Sequence, residues 1–177
     1  MRKSIKYYMA LYVVGFMYVI DPTSLMSEEV GMKIISPQFN NNEFIPSQFT
    51  YDGKNVNPEL IIENIPKETQ SLALIVDDPD APAGDWVHWV VYDIGVTDKI
   101  GENTIPGKQG INDFGKLNYG GPSPPSGTHR YFFKVYALDT KLGIEEGISK
   151  SGLEKAMEGH IIEETELIGR YTRNKHN

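Results

Sequence analysis

The sequence predicts a single, mainly β domain, on three observations. Short runs rich in β-branched and aromatic residues recur, most clearly at 71–77, 86–94 and 131–138. Between them lie clusters drawn from 17 glycines and 11 prolines, which punctuate the chain as turns rather than interrupting helices. A length of 177 residues suits one hydrophobic core and is short for two.

Taken in order, Lys33-Ile34-Ile35 opens a short strand, and Asp52-Gly53 marks a turn after Phe49-Thr50-Tyr51. Ser71 to Asp77 is a continuous apolar run of the kind found in strands buried on both faces. Trp86 to Ile94 is its expected partner, and Tyr131 to Leu138 is a third central strand. The stretch from Val96 to Ser126 is rich in glycine, proline and polar residues, and a loop of that length usually wraps a site. Near the C-terminus, Ser151 and Glu154 fit a capping box, with Leu153, Ala156 and Met157 following at helical spacing. Thr165 to Tyr171 alternates as a last strand.

The N-terminus reads differently. Arg2, Lys3 and Lys6 precede an apolar run from Tyr7 to Ile20, ended by Asp21-Pro22. A basic start before an apolar run shorter than the roughly 20 residues of a membrane span is the pattern of a secretory signal. Residues 1–27 are therefore expected to be a signal peptide or N-terminal anchor, and 28–177 a single exported, periplasmic domain. A cytoplasmic protein with this segment packed on the domain is the alternative. Losing 1–27 would remove three basic residues and one acidic residue, leaving a more acidic domain.

Composition excludes several partners. The net charge is −7 and the pI about 5.1, with no Lys/Arg cluster to displace counterions from a nucleic acid or to hold an anionic membrane surface. No cysteine is present, so disulfides, thiolate nucleophiles and cysteine-ligated metals are out.

Two segments can carry chemistry. The first, Asp77-Asp78-Pro79-Asp80-Ala81-Pro82, follows a buried strand and presents Asp78 and Asp80 on a proline-stiffened turn, with Ala81–Pro82 a candidate cis peptide. A plain Asp/Pro turn is the simpler reading. The next strand returns His88, and two carboxylates beside it would keep the imidazole charged or fix its tautomer. The second segment, Tyr119 to Tyr131, combines glycines and prolines with His129 and Tyr131, which lie two apart and so on one face of a strand. Ser123 and Ser126 near His129 invite a hydrolase reading, but Pro125 occupies the last position of a would-be Gly-x-Ser-x-Gly elbow. His88, His129 and Asp78 are metal-ligand types without a metal-ligand spacing, and no cofactor is implied.

Together these segments resemble the phosphatidylethanolamine-binding protein family, also called Raf-kinase-inhibitor-like proteins, in its bacterial branch. The resemblance is carried by Asp52-Gly53 with Asn57-Pro58, Leu72 to Pro82, Asp85 to Ile94, Gly110 to Gly115, Tyr119 to Leu138 and Ala156 to Arg173. It implies a large antiparallel sheet packed on a smaller one, with one or two short helices near the C-terminus. It also implies an anion pocket at one sheet end, with Asp78, Asp80, Pro82, His88, Gly121, Pro122, His129 and Tyr131 as the candidate ligand-binding set. Ser123 stands where bacterial relatives often carry cysteine.

The expected function is non-enzymatic binding of a small anionic or phosphorylated ligand, such as phosphate or a phosphoethanolamine-like head group. Inhibition or regulation of a protease or kinase partner is the second reading, and weak hydrolysis the third. A homodimer is implied by the bacterial relatives alone.

Overall fold

The computed structural model describes residues 31–173, so the expected leader or anchor over 1–27 lies outside the described residues. In chain order the elements are β1 (Lys33–Ile35), β2 (Glu43–Phe44), β3 (Leu60–Glu63), β4 (Ser71–Asp78), β5 (Trp86–Ile94), β6 (Lys99–Ile100), β7 (Lys108–Gln109), β8 (Thr128–Leu138), α1 (Lys150–Met157) and β9 (Ile161–Thr172). A six-stranded sheet runs β2-β9-β8-β4-β5-β7, and a three-stranded sheet runs β1-β3-β6. Every pairing is antiparallel except that of β2 with β9, so the large sheet is mixed at one edge.

The centre of the molecule is β4, all eight residues of which are buried. Its alternation divides the core in two. Leu72, Leu74 and Val76 point toward the small sheet, where they meet Leu60, Ile62, Trp89, Phe133 and Val135. Ala73 and Ile75 point the other way, toward Leu153 and Met157 of α1. A strand covered on both faces must be apolar on both, which is why this run reads as continuous. At about 1.5–3 kcal/mol for each fully buried aliphatic side chain, this strand and its neighbours β5 and β8 anchor the fold.

Four expectations are corrected. The helix is capped by Ser149, whose hydroxyl accepts from Gly152 N at 3.1 Å, rather than by Ser151. The cap bonds a backbone amide, so the Ser151/Glu154 side-chain pattern did not determine it. β8 begins at Thr128, before the apolar run, because its polar start pairs residue by residue with Arg170–Thr172. β9 likewise begins at Ile161, opposite Leu138. The Ala81–Pro82 bond is trans, as is every peptide bond among the described residues. The 96–126 segment is a loop carrying the short strands β6 and β7.

Candidate functional site

The antiparallel order brings the end of β4 beside the starts of β5 and β8. Alternation then decides which side chains meet there. Asp78 continues the inward series of Leu72, Leu74 and Val76, while His129 and Tyr131 continue that of Phe133 and Val135 on β8. On β5 a bulge intervenes. Val76 pairs with Trp89 but Asp77 pairs with Val87, so His88 is the extra residue. The bulge re-aims the strand so that His88 and Trp89 both escape the helix-side layer that holds Val87 and Val90.

The result is a cavity of about 280 Å³ lined by Asp78, His88, His129 and Tyr131 together with Trp86, Phe114 and prolines 82, 124 and 125. That is near the lower end of ordinary ligand pockets, and mostly apolar walls around a few convergent polar groups are their usual composition. Phe114 packs edge-on against both His88, at 5.5 Å between ring centroids, and Trp86, at 5.6 Å. It sits at the tip of a turn locked by Asn112, whose side chain accepts from Phe114 N and Lys116 N and donates to Asn118 O. Gly120 makes room for the ring, since a Cβ there would lie 2.6 Å from it.

Both imidazoles are held by one nitrogen. His88 Nδ1 donates to Gly120 O at 2.5 Å, and His129 Nδ1 donates to Asp78 Oδ2 at 2.8 Å. Neither Nε2 has a hydrogen-bond partner among the described residues. Asp78 Oδ1 accepts from Asp80 N at 2.9 Å. Burial pushes the pKa of His88 below 6.5, against the pull of the Gly120 carbonyl and of Asp78, so its neutral form is favoured. The expectation that two carboxylates would keep His88 charged or fix its tautomer is corrected: burial outweighs Asp78, and the Gly120 carbonyl rather than a carboxylate fixes the tautomer. The Tyr131 hydroxyl is buried and unpartnered. Asp78 and the Ser123 backbone lie close, but neither forms a hydrogen bond of good geometry with it. Burial and then the Asp78 charge push this phenol well above its ordinary range.

Of the eight candidate residues, Asp78, Pro82, His88, His129 and Tyr131 line one cavity, whereas Asp80, Gly121 and Pro122 do not. Asp80 turns outward and takes Arg130, with Nε at 2.9 Å and Nη2 at 2.7 Å, and these bonds hold its carboxyl at about 2. Gly121 N donates to Asn55 Oδ1 and Pro122 O accepts from Tyr51 N, so both brace the loop from behind. Trp86 and Phe114 were not anticipated. Trp86 lies two residues before His88, a spacing that pointed to it, whereas nothing in the sequence brings Phe114 to the pocket. Ser123 lines the wall, yet its hydroxyl meets Arg173 Nη1 at 3.4 Å rather than His129. Among the described residues no group of three or more His, Cys, Asp or Glu side chains is gathered to hold a metal ion.

Comparison with known proteins agrees with this architecture. The family model described as phosphatidylethanolamine-binding protein matches residues 35–172. A UPF0098 protein of Methanothermobacter thermautotrophicus is 47% identical over 150 residues, covering 80% of this chain and 99% of the relative. A UPF0098 protein of Aquifex aeolicus is 46% identical over 153 residues, covering 81% and 90% respectively. The crystal structure of a protein from Chlamydia trachomatis, described as a phosphatidylethanolamine-binding protein homologue, superposes with a TM-score of 0.79 at 40% identity, covering 81% of this chain and 99% of that one. That of E. coli YbcL, described as a member of the mammalian PEBP family, gives 0.75 at 28% identity, with the same coverage. The chain belongs to the phosphatidylethanolamine-binding protein family.

Proposed function

We propose that the chain is a non-enzymatic binding protein that takes a small anionic or phosphorylated ligand in the pocket of Asp78, His88, His129 and Tyr131. One observation carries this reading: two imidazoles pinned through Nδ1, each with an unpartnered Nε2, converge with an unpartnered buried hydroxyl on one small cavity. A buried donor without a partner costs about 1–3 kcal/mol, and a ligand oxygen at Tyr131 would recover it. In its doubly protonated form His129 donates to Asp78 through Nδ1 and offers Nε2–H to the ligand. Charge-assisted bonds of this kind, in a site walled by Trp86, Phe114 and prolines, are shielded from competing water.

The sign of the pH dependence follows. An anion favours the protonated His88 ring, which burial disfavours, so the affinity should rise as pH falls below the ordinary histidine range. Titration calorimetry with inorganic phosphate and phosphoethanolamine at pH 6 tests the reading. Heat of binding by the wild type that disappears in His88→Ala and His129→Ala supports it. A wild type that binds neither ligand, or variants that bind as well as the wild type, contradicts it.

A hydrolytic reading has one observation in its favour, the Asp78–His129 pair beside Ser123 in the same wall. No hydrogen bond joins Ser123 Oγ to His129 among the described residues, and the hydroxyl instead accepts from Arg173 Nη1 at 3.4 Å, so the nucleophile–base contact of such a site is not formed. Turnover of simple ester or phosphate substrates that is lost in Ser123→Ala would favour hydrolysis over binding.

A further inference from the structure

We propose that Arg173 is a fixed cationic contact at the mouth of the pocket, giving the site a preference for doubly charged phosphomonoesters over singly charged phosphodiesters. This rests on the anion-binding reading and deepens it.

Arg173 is not a loose surface side chain. Its Nε donates to Asp52 Oδ1 at 2.9 Å, and its Nη1 reaches Ser123 Oγ, on the pocket wall, at 3.4 Å. Asp52 is itself held, with Oδ2 accepting from the Tyr171 hydroxyl at 3.0 Å. The turn that carries Asp52 is tied to the Ser123 loop through Tyr51 N and Pro122 O, at 3.0 Å. Only glycine fits the next position, because a Cβ on Gly53 would sit 2.1 Å from Ser47 O. Carboxylate, guanidinium and pocket wall thus form one braced chain. The side chain is 41% exposed, which leaves its remaining N–H groups accessible at the rim.

Arg173 gives Asp52 only its Nε, while three nearby cations are bonded away from the pocket. Arg130 spends its guanidinium on Asp80, and Lys134 and Lys150 bond to Asp77 on the far side of β4. Among the described residues, Arg173 is the one permanently charged side chain bonded to a residue of the pocket wall. The remaining groups are two imidazoles, which offer Nε2–H to an anion only when doubly protonated, and a neutral phenol. Neutral donors distinguish weakly between one and two negative charges on a ligand. A fixed cation distinguishes them because the Coulomb energy scales with ligand charge, and a guanidinium presents its donors in a fork that matches phosphate oxygens.

The test is calorimetry at pH 7.5 and low salt, with methyl phosphate, mainly a dianion at that pH, as the monoester and dimethyl phosphate as the diester. Wild type, Arg173→Gln and His129→Ala are compared, with thermal melts to confirm that each is folded. The wild type should bind the monoester more tightly, by about tenfold, the scale of one hydrogen bond to a charged group. Arg173→Gln should remove most of that preference by weakening the monoester alone, whereas His129→Ala should weaken both ligands. Arg173→Gln with both affinities unchanged, or with both lowered equally, overturns the role of Arg173 and leaves the pocket standing if His129→Ala still abolishes binding. A wild type that binds neither ligand overturns both together.

Discussion

Asp77 and Asp78 are neighbours on one buried strand and face opposite ways, and their surroundings differ in kind. On the helix side, Asp77 Oδ2 accepts from Lys134 Nζ at 2.8 Å and Lys150 Nζ at 2.5 Å. Lys150 also bonds Asp85. Burial works against its charge, but these bonds prevail and hold its ammonium above the ordinary range. On the inner side, Asp78 meets one imidazole and one backbone amide, next to a hydroxyl that has no partner. The first aspartate fastens α1 to the sheet with charges supplied by the chain itself. Asp77 Oδ1 is also buried without a partner, whereas both oxygens of Asp78 are bonded. What stays open around Asp78 are its neighbours, the imidazole Nε2 atoms and the Tyr131 hydroxyl. One serves cohesion, and under the proposed function the other serves a ligand.

Several substitutions break or sharpen that contrast. The largest effect should come from Asp77→Ala, which strands two lysines against a buried face. It should cost about 3 kcal/mol, the lower end for breaking a buried pair because both lysines can partly reach water, as measured by urea unfolding. The folded variant should keep the anion affinity of the wild type. Tyr131→Phe is the mirror case. Removing an unpartnered buried hydroxyl should leave stability unchanged or raise it by up to about 1–3 kcal/mol, while anion affinity in calorimetry falls about tenfold. Ser149→Ala should cost about 1 kcal/mol by loosening the first turn of α1, which carries Lys150 to Asp77, whereas Ser151→Ala should change thermal stability by no more than a few tenths.

The smallest effect concerns pH. The pKa of His88 is lower in the folded protein than its ordinary 6.5, so between the two values the unfolded chain binds more protons. Stability without ligand should therefore be lost as pH falls through 6.5, and His88→Gln should flatten that part of the melting-temperature profile. Added phosphate should oppose the acid loss in the wild type, since it favours the charged ring.

Much of this was legible in the residues, and the rest fails for physical reasons. The central strands were readable because burial on both faces demands continuous apolar runs. The pairing of His129 with Tyr131 followed from strand alternation alone. Asp78 and His88 were suggested by the Asp-Pro turn and the strand that follows it. The resemblance joined them to His129 and Tyr131 in one set, and the fold brings all four to the pocket. Alternation stops carrying information where a strand stops, and Asp80, beyond the end of β4, turns outward to Arg130. The His88 bulge was likewise invisible, because one extra residue in a strand leaves no mark on its composition. Phe114 reaches the pocket from a turn fixed by a single buried asparagine, and Ser149 caps α1 through a backbone amide that any residue would supply. The parallel edge pair of β2 with β9 rests on two exposed residues, too short for any pattern.

The difference between the two faces of β4 is tested most directly by following the imidazole nitrogens of His88 and His129 by nitrogen NMR during a phosphate titration at pH 6. Binding through the open edges predicts that both Nε2 resonances move toward the protonated position and saturate together, while both Nδ1 resonances, held by Gly120 and Asp78, shift little. Nε2 resonances that do not respond to phosphate at any concentration would contradict it.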